Sequence, residues 1–185
     1  IRDGQIVGQH TTHFLVQADK LVIETQMNLK IKVFSISIYS FNYEATEIWK
    51  NDLMTNLDVT VLDNSERKII NAFSVTDGFS IKGPAGDFKI SGPIISTNHW
   101  NANVLMERRV LNTITGAVNQ VQITNKGSER ISVKKGHLTA TRYDYTGDLT
   151  NTSAWYDNEG RWVKLRFIAR DGSTINYFCN TCDIQ

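Results

Sequence analysis

Two histidines and two cysteines come nearest, by type and spacing, to residues that do chemistry in this chain. His10 and His13 lie three apart in strand-like sequence. Residues so spaced on a strand point to opposite faces, so the pair cannot share one ion without a bulge or turn, and zinc needs three or four placed ligands. His99 and His137 stand alone in the sequence. No metal site and no cofactor is expected. Cys179 and Cys182 form a Cys-x-x-Cys. A redox pair of this kind sets its first cysteine at a helix N-terminus, yet only Asp183, Ile184 and Gln185 follow. Zinc would need a second pair, which the sequence lacks. The expected form is a small terminal disulfide in an exported protein, or two reduced thiols in a cytoplasmic one.

Asp144, Asp148, Asp157, Glu159 and Asp171 supply carboxylates for acid and base work, but most fall in turn sequence, where aspartate caps backbone amides. The chain contains no Gly-x-Ser-x-Gly elbow, Gly-x-Gly-x-x-Gly turn, phosphate-binding loop or His-Glu-x-x-His. No catalytic residue is assigned. Aromatic residues carry the binding expectation instead. Tyr143 and Tyr145 share strand parity with His137, Thr139 and Thr141, a mixed polar and aromatic stripe that suits a ligand cavity, a plain core or a wet outer face alike. The ligand-binding candidates are Trp49, Trp100, His137, Tyr143, Tyr145 and Trp155.

These side chains must be positioned by strands. Asp157-Asn158-Glu159-Gly160 reads as a hairpin turn, and from Trp162 the sequence alternates. Val163, Leu165, Phe167 and Ala169 fall on one side; Trp162, Lys164, Arg166 and Ile168 fall on the other. Asp171-Gly172 turns the chain back into Ile175, Tyr177 and Cys179. Upstream, Gln5 to Val16 and Lys20 to Ile31 flank Gln17-Ala18-Asp19. Phe34, Ile36 and Ile38 are in phase with each other but out of step with Phe41 and Tyr43, which places a β-bulge near Tyr39 and Ser40. Further strands are expected around Leu57 to Val61, Ile70 to Val75, Phe79 to Lys82 and Phe88 to Ile90. Others cover Ala117 to Thr124, Arg130 to Lys134 (after a turn at Asn125-Lys126-Gly127) and Leu138 to Thr146. Asn98 to Asn112 fits helical spacing, with Asn98 as its cap. The expected fold is mainly β: a single domain over residues 1–185, an antiparallel meander of about eleven strands. It forms a strongly curved sheet or partly closed barrel, with one short helix near 98–112 covering an opening.

Hydrophobic residues are 41% and charged residues 21% of the 185, the composition of an ordinary globular domain. Twenty basic against nineteen acidic residues exclude binding driven by overall positive charge, so no nucleic-acid partner is expected. No apolar run approaches the ~20 residues of a membrane helix, and the protein is not expected to span a membrane by helices. Between Lys126 and Arg170 nine basic residues face five acidic ones. That excess is a solvated outer face or, around Trp162, Lys164 and Arg166, a docking surface. The chain opens at Ile1 without an initiator Met, which a removed export signal, a trimmed start or a disordered start would each produce.

Three stretches carry a family likeness: Tyr143-Asp144-Tyr145-Thr146-Gly147, then Trp155-Tyr156-Asp157 leading through Gly160 to Trp162-Val163, Leu165 and Phe167, then Asp171-Gly172-Ser173 with Ile175 and Tyr177. With Glu47-Ile48-Trp49 and the opening Asp3-Gly4 and Gly8, the chain resembles a group of exported bacterial domains of unknown function. These are similar in size and strand count to the periplasmic lipoprotein-carrier half-barrel. The resemblance implies a periplasmic or secreted location after removal of an export signal, and a lipid or other apolar small molecule as partner. The resulting expectation is a non-enzymatic carrier for a hydrophobic or amphipathic ligand. The alternatives are an envelope protein-interaction module, or an enzyme whose carboxylates and histidines converge only in the fold.

Overall fold

A computed structural model describes residues 1–33, 36–169 and 171–182. Among them are fourteen strands: β1 Gly8–Gln17, β2 Lys20–Val33, β3 Ile36–Lys50, β4 Leu53–Asp63, β5 Glu66–Val75, β6 Gly78–Gly83, β7 Gly86–Ser91, β8 Ile95–Ser96, β9 Arg109–Leu111, β10 Val118–Val133, β11 Gly136–Gly147, β12 Thr152–Tyr156, β13 Trp162–Ile168 and β14 Thr174–Asn176. They form two seven-stranded sheets, ordered β1-β2-β3-β4-β5-β6-β7 and β14-β13-β12-β11-β10-β9-β8. The chain divides into two compact units. One holds Val7–Thr97 with Leu111–Val118; the other holds Ile1–Ile6, Asn98–Val110 and Asn119–Gln185.

The first sheet follows from alternation. In β3, Tyr43, Ala45, Glu47 and Trp49 are buried while Glu44 and Lys50 are exposed; in β4, Leu57, Val59 and Val61 are buried while Asp58 and Leu62 are exposed. Cross-strand register joins these residues into rows on one face. Ile23 pairs with Glu47, Glu47 with Leu57, Leu57 with Ala72 and Ala72 with Ile81. Thr25 pairs with Ala45, Ala45 with Val59 and Val59 with Ile70. Ile23, Leu57, Val61, Ile70 and Ile81 have no exposed surface, so this face is the core of its unit. The expected bulge is present: Ile31 pairs with Tyr39 but Lys32 with Ser37, so Ile38 is the extra residue, one place from the expected site. Phe34 lies outside the described residues.

Three expectations are corrected. Among the described residues the strand number is fourteen rather than about eleven, in part because β8 and β9 are two and three residues long, too short for any period to show. The helix near 98–112 is only a 3-10 turn, Ala102–Met106, capped by Asn101 rather than Asn98. Asn101 Oδ1 accepts the Asn103 amide at 3.0 Å, and the chain then turns extended so that Val110 and Leu111 are fully buried from β9. The turn expected at Asn125-Lys126-Gly127 is an irregularity inside one long strand, β10. Pairing jumps there from Asn125–Tyr143 to Ser128–Thr141, with Gly127 at φ 88° and its amide on Asn125 Oδ1 at 2.8 Å.

In the second sheet the Asp157–Gly160 reversal forms as its residues dictate. Gly160 has φ 74°, and Asp157 Oδ1 accepts the amides of Glu159 at 3.0 Å and Arg161 at 2.9 Å. Pairing between β12 and β13 then shifts, with Trp155 opposite Lys164 but Tyr156 opposite Trp162. Val163 is the extra residue. The bulge moves Trp162 off the Lys164 and Arg166 side. Its ring meets Tyr177 at 5.6 Å between centroids, as Phe167 does at 6.2 Å, whereas Val163 packs with Trp155, Ile131 and Ala140.

Candidate functional site

The first unit carries a polar cluster inside its apolar face. Glu47 has no exposed surface. Its Oε2 accepts the Trp49 indole N–H at 2.7 Å, and its Oε1 accepts the Ser96 hydroxyl at 2.7 Å. Glu47 and Trp49 are two apart on β3, so strand periodicity puts both on the core face, and Ser96 enters from β8. Beside them Thr25 is 1% exposed, and its Oγ1 has no hydrogen-bond partner among the described residues. Thr25 is opposite Ala45 and Ile23 opposite Glu47, so Thr25 and Glu47 are diagonal neighbours on one face. His10, opposite Met27 in the next row, is desolvated, and burial pushes its pKa down to about 4. An apolar surface with a few placed polar groups is the composition of small-molecule sites.

The second unit sorts its candidates onto two faces of β11 to β13. On one, Tyr145 and Tyr156 are each 2% exposed and gather around His99. The Tyr156 hydroxyl donates to the His99 carbonyl at 2.8 Å, Tyr145 Oη lies 3.4 Å from His99 Nδ1, and the His99 ring sits 5.7 Å from that of Trp162. His99 holds φ 61°, an uncommon backbone state for a side chain of its size. Burial raises the pKa of Tyr145 and of Tyr156 well above the ordinary tyrosine range, so both remain protonated. Tyr143 stacks edge-on against Tyr156 at 6.0 Å.

The opposite face is charged. Trp155 pairs with Arg142 across β11, so it shares that face rather than the Tyr143 and Tyr145 face. Its indole donates to Glu129 Oε1, Lys164 Nζ sits 4.4 Å from its ring centroid, and the Arg142 guanidinium sits 5.6 Å away. Arg142 holds Asp144 in a fork at 2.7 and 2.9 Å, and the Ser153 hydroxyl adds a third bond at 2.7 Å. Burial alone would raise the Asp144 pKa; the hydrogen bonds from Arg142 and Ser153 outweigh it and hold it below the usual range. Desolvation lowers the Lys164 pKa.

The six ligand candidates are divided between the two units. Trp49 belongs to the first unit; Trp100, His137, Tyr143, Tyr145 and Trp155 belong to the second. Tyr143 and Tyr145 share a face, Trp155 takes the other, His137 pairs with Ser132 at the far end of β11, and Trp100 is half-buried beside His99. The Lys164 and Arg166 surface lacks Trp162. Cys179 and Cys182 are joined by a disulfide, with Cys182 packed on the Trp155 cluster. The turn carboxylates serve the backbone: Asp148 accepts the Gln120 amide at 2.8 Å, and Asp171 accepts Ser173 N at 3.0 Å and Arg2 Nη2 at 2.9 Å. Among the described residues no three His, Cys, Asp or Glu side chains are grouped to hold a metal ion. No described helix is long and apolar enough to cross a membrane. Glu47 and Thr25 are absent from the sequence-based candidates although a signal for them exists: each is a polar residue in the apolar phase of its strand.

The family model of DUF6134, described as a domain of unknown function, matches residues 1–180. No curated protein matches the chain. Among solved structures the chain is similar to a beta-barrel-like protein of domain of unknown function DUF1849 from Brucella abortus, at 9% identity and a TM-score of 0.64. The match covers 94% of this chain and 86% of that one. At that identity the likeness shows the fold alone, mostly antiparallel β.

Proposed function

We propose that this chain, which belongs to the DUF6134 family of domains of unknown function, is an extracytoplasmic, non-enzymatic binding or carrier protein for an amphipathic small molecule. The proposed seat is the core face of the first sheet, with the apolar part of the ligand among Ile23, Val59 and Ile70 and its polar end at Thr25 and Glu47. One observation carries the reading: Thr25 Oγ1 is buried and has no hydrogen-bond partner among the described residues. A buried hydroxyl in that state costs about 1–3 kcal/mol, and a core selected only for stability would place valine there. A ligand head that bonds to Thr25 offsets that cost. The face is closed in the chain by itself, so loading displaces lining side chains and is slow compared with diffusion.

Thr25→Val tests this. The variant should be more stable than the parent by about 1–2 kcal/mol in denaturant titration, and bind amphiphiles more weakly. Native mass spectrometry of purified protein and displacement of a fluorescent fatty acid read the binding. If neither detects a bound molecule, or Thr25→Val is destabilising, the reading is wrong. The Cys179–Cys182 disulfide supports the location, since such bonds persist in oxidising compartments. Thiol labelling of the native protein taken directly from cells should find both cysteines blocked; free thiols would overturn the extracytoplasmic assignment.

A further inference from the structure

The edges of the two sheets are not equally defended. An edge strand presents backbone donors and acceptors that recruit another strand, and proteins blunt such edges by shortness, charge, proline or bulges. β7 is six residues long and carries Asp87 and Lys89. β8 is two residues long. β14 is three residues long and is met by the opening segment, with Arg2 bridged to Ile175 and the Asn176 amide on the Ile1 carbonyl at 2.9 Å. β1 has none of these devices. Its ten residues contain no Lys, Arg, Asp, Glu or Pro, and its register with β2 runs unbroken from Gly8–Leu29 to Gln17–Lys20. The strand order ends on it. From His13 to Gln17 every residue is exposed, including Phe14 at 55%, Leu15 at 41% and Val16 at 82%.

We propose that this half of β1 is a self-association edge: it pairs antiparallel with the same segment of a second copy of the chain, about a two-fold axis through Leu15. The sequence is self-complementary in that register. Phe14 faces the partner's Val16 and Val16 faces the partner's Phe14, two aromatic to β-branched pairs of the kind that stabilise sheets. Leu15 faces its own copy, and His13 faces the partner's Gln17. The overlap therefore spans His13 to Gln17, which is the stretch left exposed. No formal charge opposes a like charge. A two-fold contact of this kind is closed, so it yields dimers rather than fibres.

The register makes the proposal testable on the full chain. Leu15→Cys should form a disulfide-linked dimer on its own, because opposed Cα atoms of an antiparallel pair lie about 4.5–5.5 Å apart, within disulfide reach. Thr12→Cys should not, since the two copies of that residue would be about 20 Å apart. Sedimentation velocity should show a concentration-dependent dimer, weakened about tenfold by Val16→Lys. The double variant Phe14→Glu with Val16→Lys sets opposite charges across both pairs and should restore it. Val16 is exposed, so the lysine does not load the core. A monomer at every concentration to about a millimolar, a dimer indifferent to Val16→Lys, or equal cross-linking at residues 12 and 15 would overturn the proposal. So would a monomer that takes an unrelated apolar peptide along β1, which would assign the edge to another partner.

Discussion

Trp49 donates its indole N–H to Glu47, two residues earlier on the same strand and the same face, at 2.7 Å. Both side chains lie in the core, at 4% and 0% exposure, so the indole serves as the local solvent of a carboxylate removed from water. Trp49→Phe keeps most of the ring volume and deletes the donor. The variant should lose about 1–3 kcal/mol of unfolding free energy. Glu47→Gln in the Trp49→Phe background should recover part of it, because an amide is less costly to leave partly satisfied than a carboxylate. Equilibrium urea unfolding of the single and double variants checks this; equal stability of Trp49→Phe and parent would show that the bond contributes nothing.

Stability should fall on mild acidification because of His10. Its folded pKa of about 4 lies below the ordinary 6.5. The folded chain thus resists a proton that the unfolded chain accepts. Above pH 6.5 neither state is protonated and there is no penalty. Between 6.5 and 4 the unfolded state gains progressively, by about 3 kcal/mol in total, and below 4 the loss levels off. His10→Phe should remove this component of the pH profile. Thermal unfolding from pH 7 to 4, parent against variant, is the measurement; parallel profiles would mean that His10 titrates normally.

Reduction of Cys179–Cys182 should have a small global and a larger local effect. The bond closes a loop of four residues, and chain entropy credits such a loop with no more than ~2 kcal/mol. The Cys179 carbonyl, however, accepts the Lys134 amide at 3.1 Å, and Cys182 packs on Ile131, Ala140, Trp155 and Val163. Added reductant should therefore speed hydrogen exchange at Lys134 markedly while moving the unfolding midpoint little. A collapse of global stability would show that the bond does more than pin this segment.

How much of this was legible depended on the range of the signal. The Asp157–Gly160 hairpin is encoded locally, by one aspartate that accepts two amides and one glycine with positive φ, and it is visible in four residues. The two-residue period of β3 and β4 is equally local. Bulges are less so. The one at Ile38 showed itself because apolar residues on both sides fell out of step, but the one at Val163 sits among residues that are apolar or amphipathic in either phase. Its one-residue slip carried Trp162 to the other face, so the expected Trp162, Lys164 and Arg166 surface does not exist as a unit. Asn98 to Asn112 misled because apolar spacing there is shared between a 3-10 turn and a strand of three residues, and helical periodicity cannot tell that sum from a helix. Partnership is less visible still. Nothing in the sequence says that Ser96 reaches Glu47 across 49 positions.

The order of the first sheet bears on how this polypeptide reaches its native state. Each of its strands lies beside the one that precedes it in sequence, so pairing needs only short loops to close and can advance strand by strand. The other unit cannot finish that way. The Ile1 nitrogen and the Asn176 carbonyl, 2.7 Å apart in space, are separated by 175 positions along the chain, so that unit closes only when two segments far apart in sequence meet.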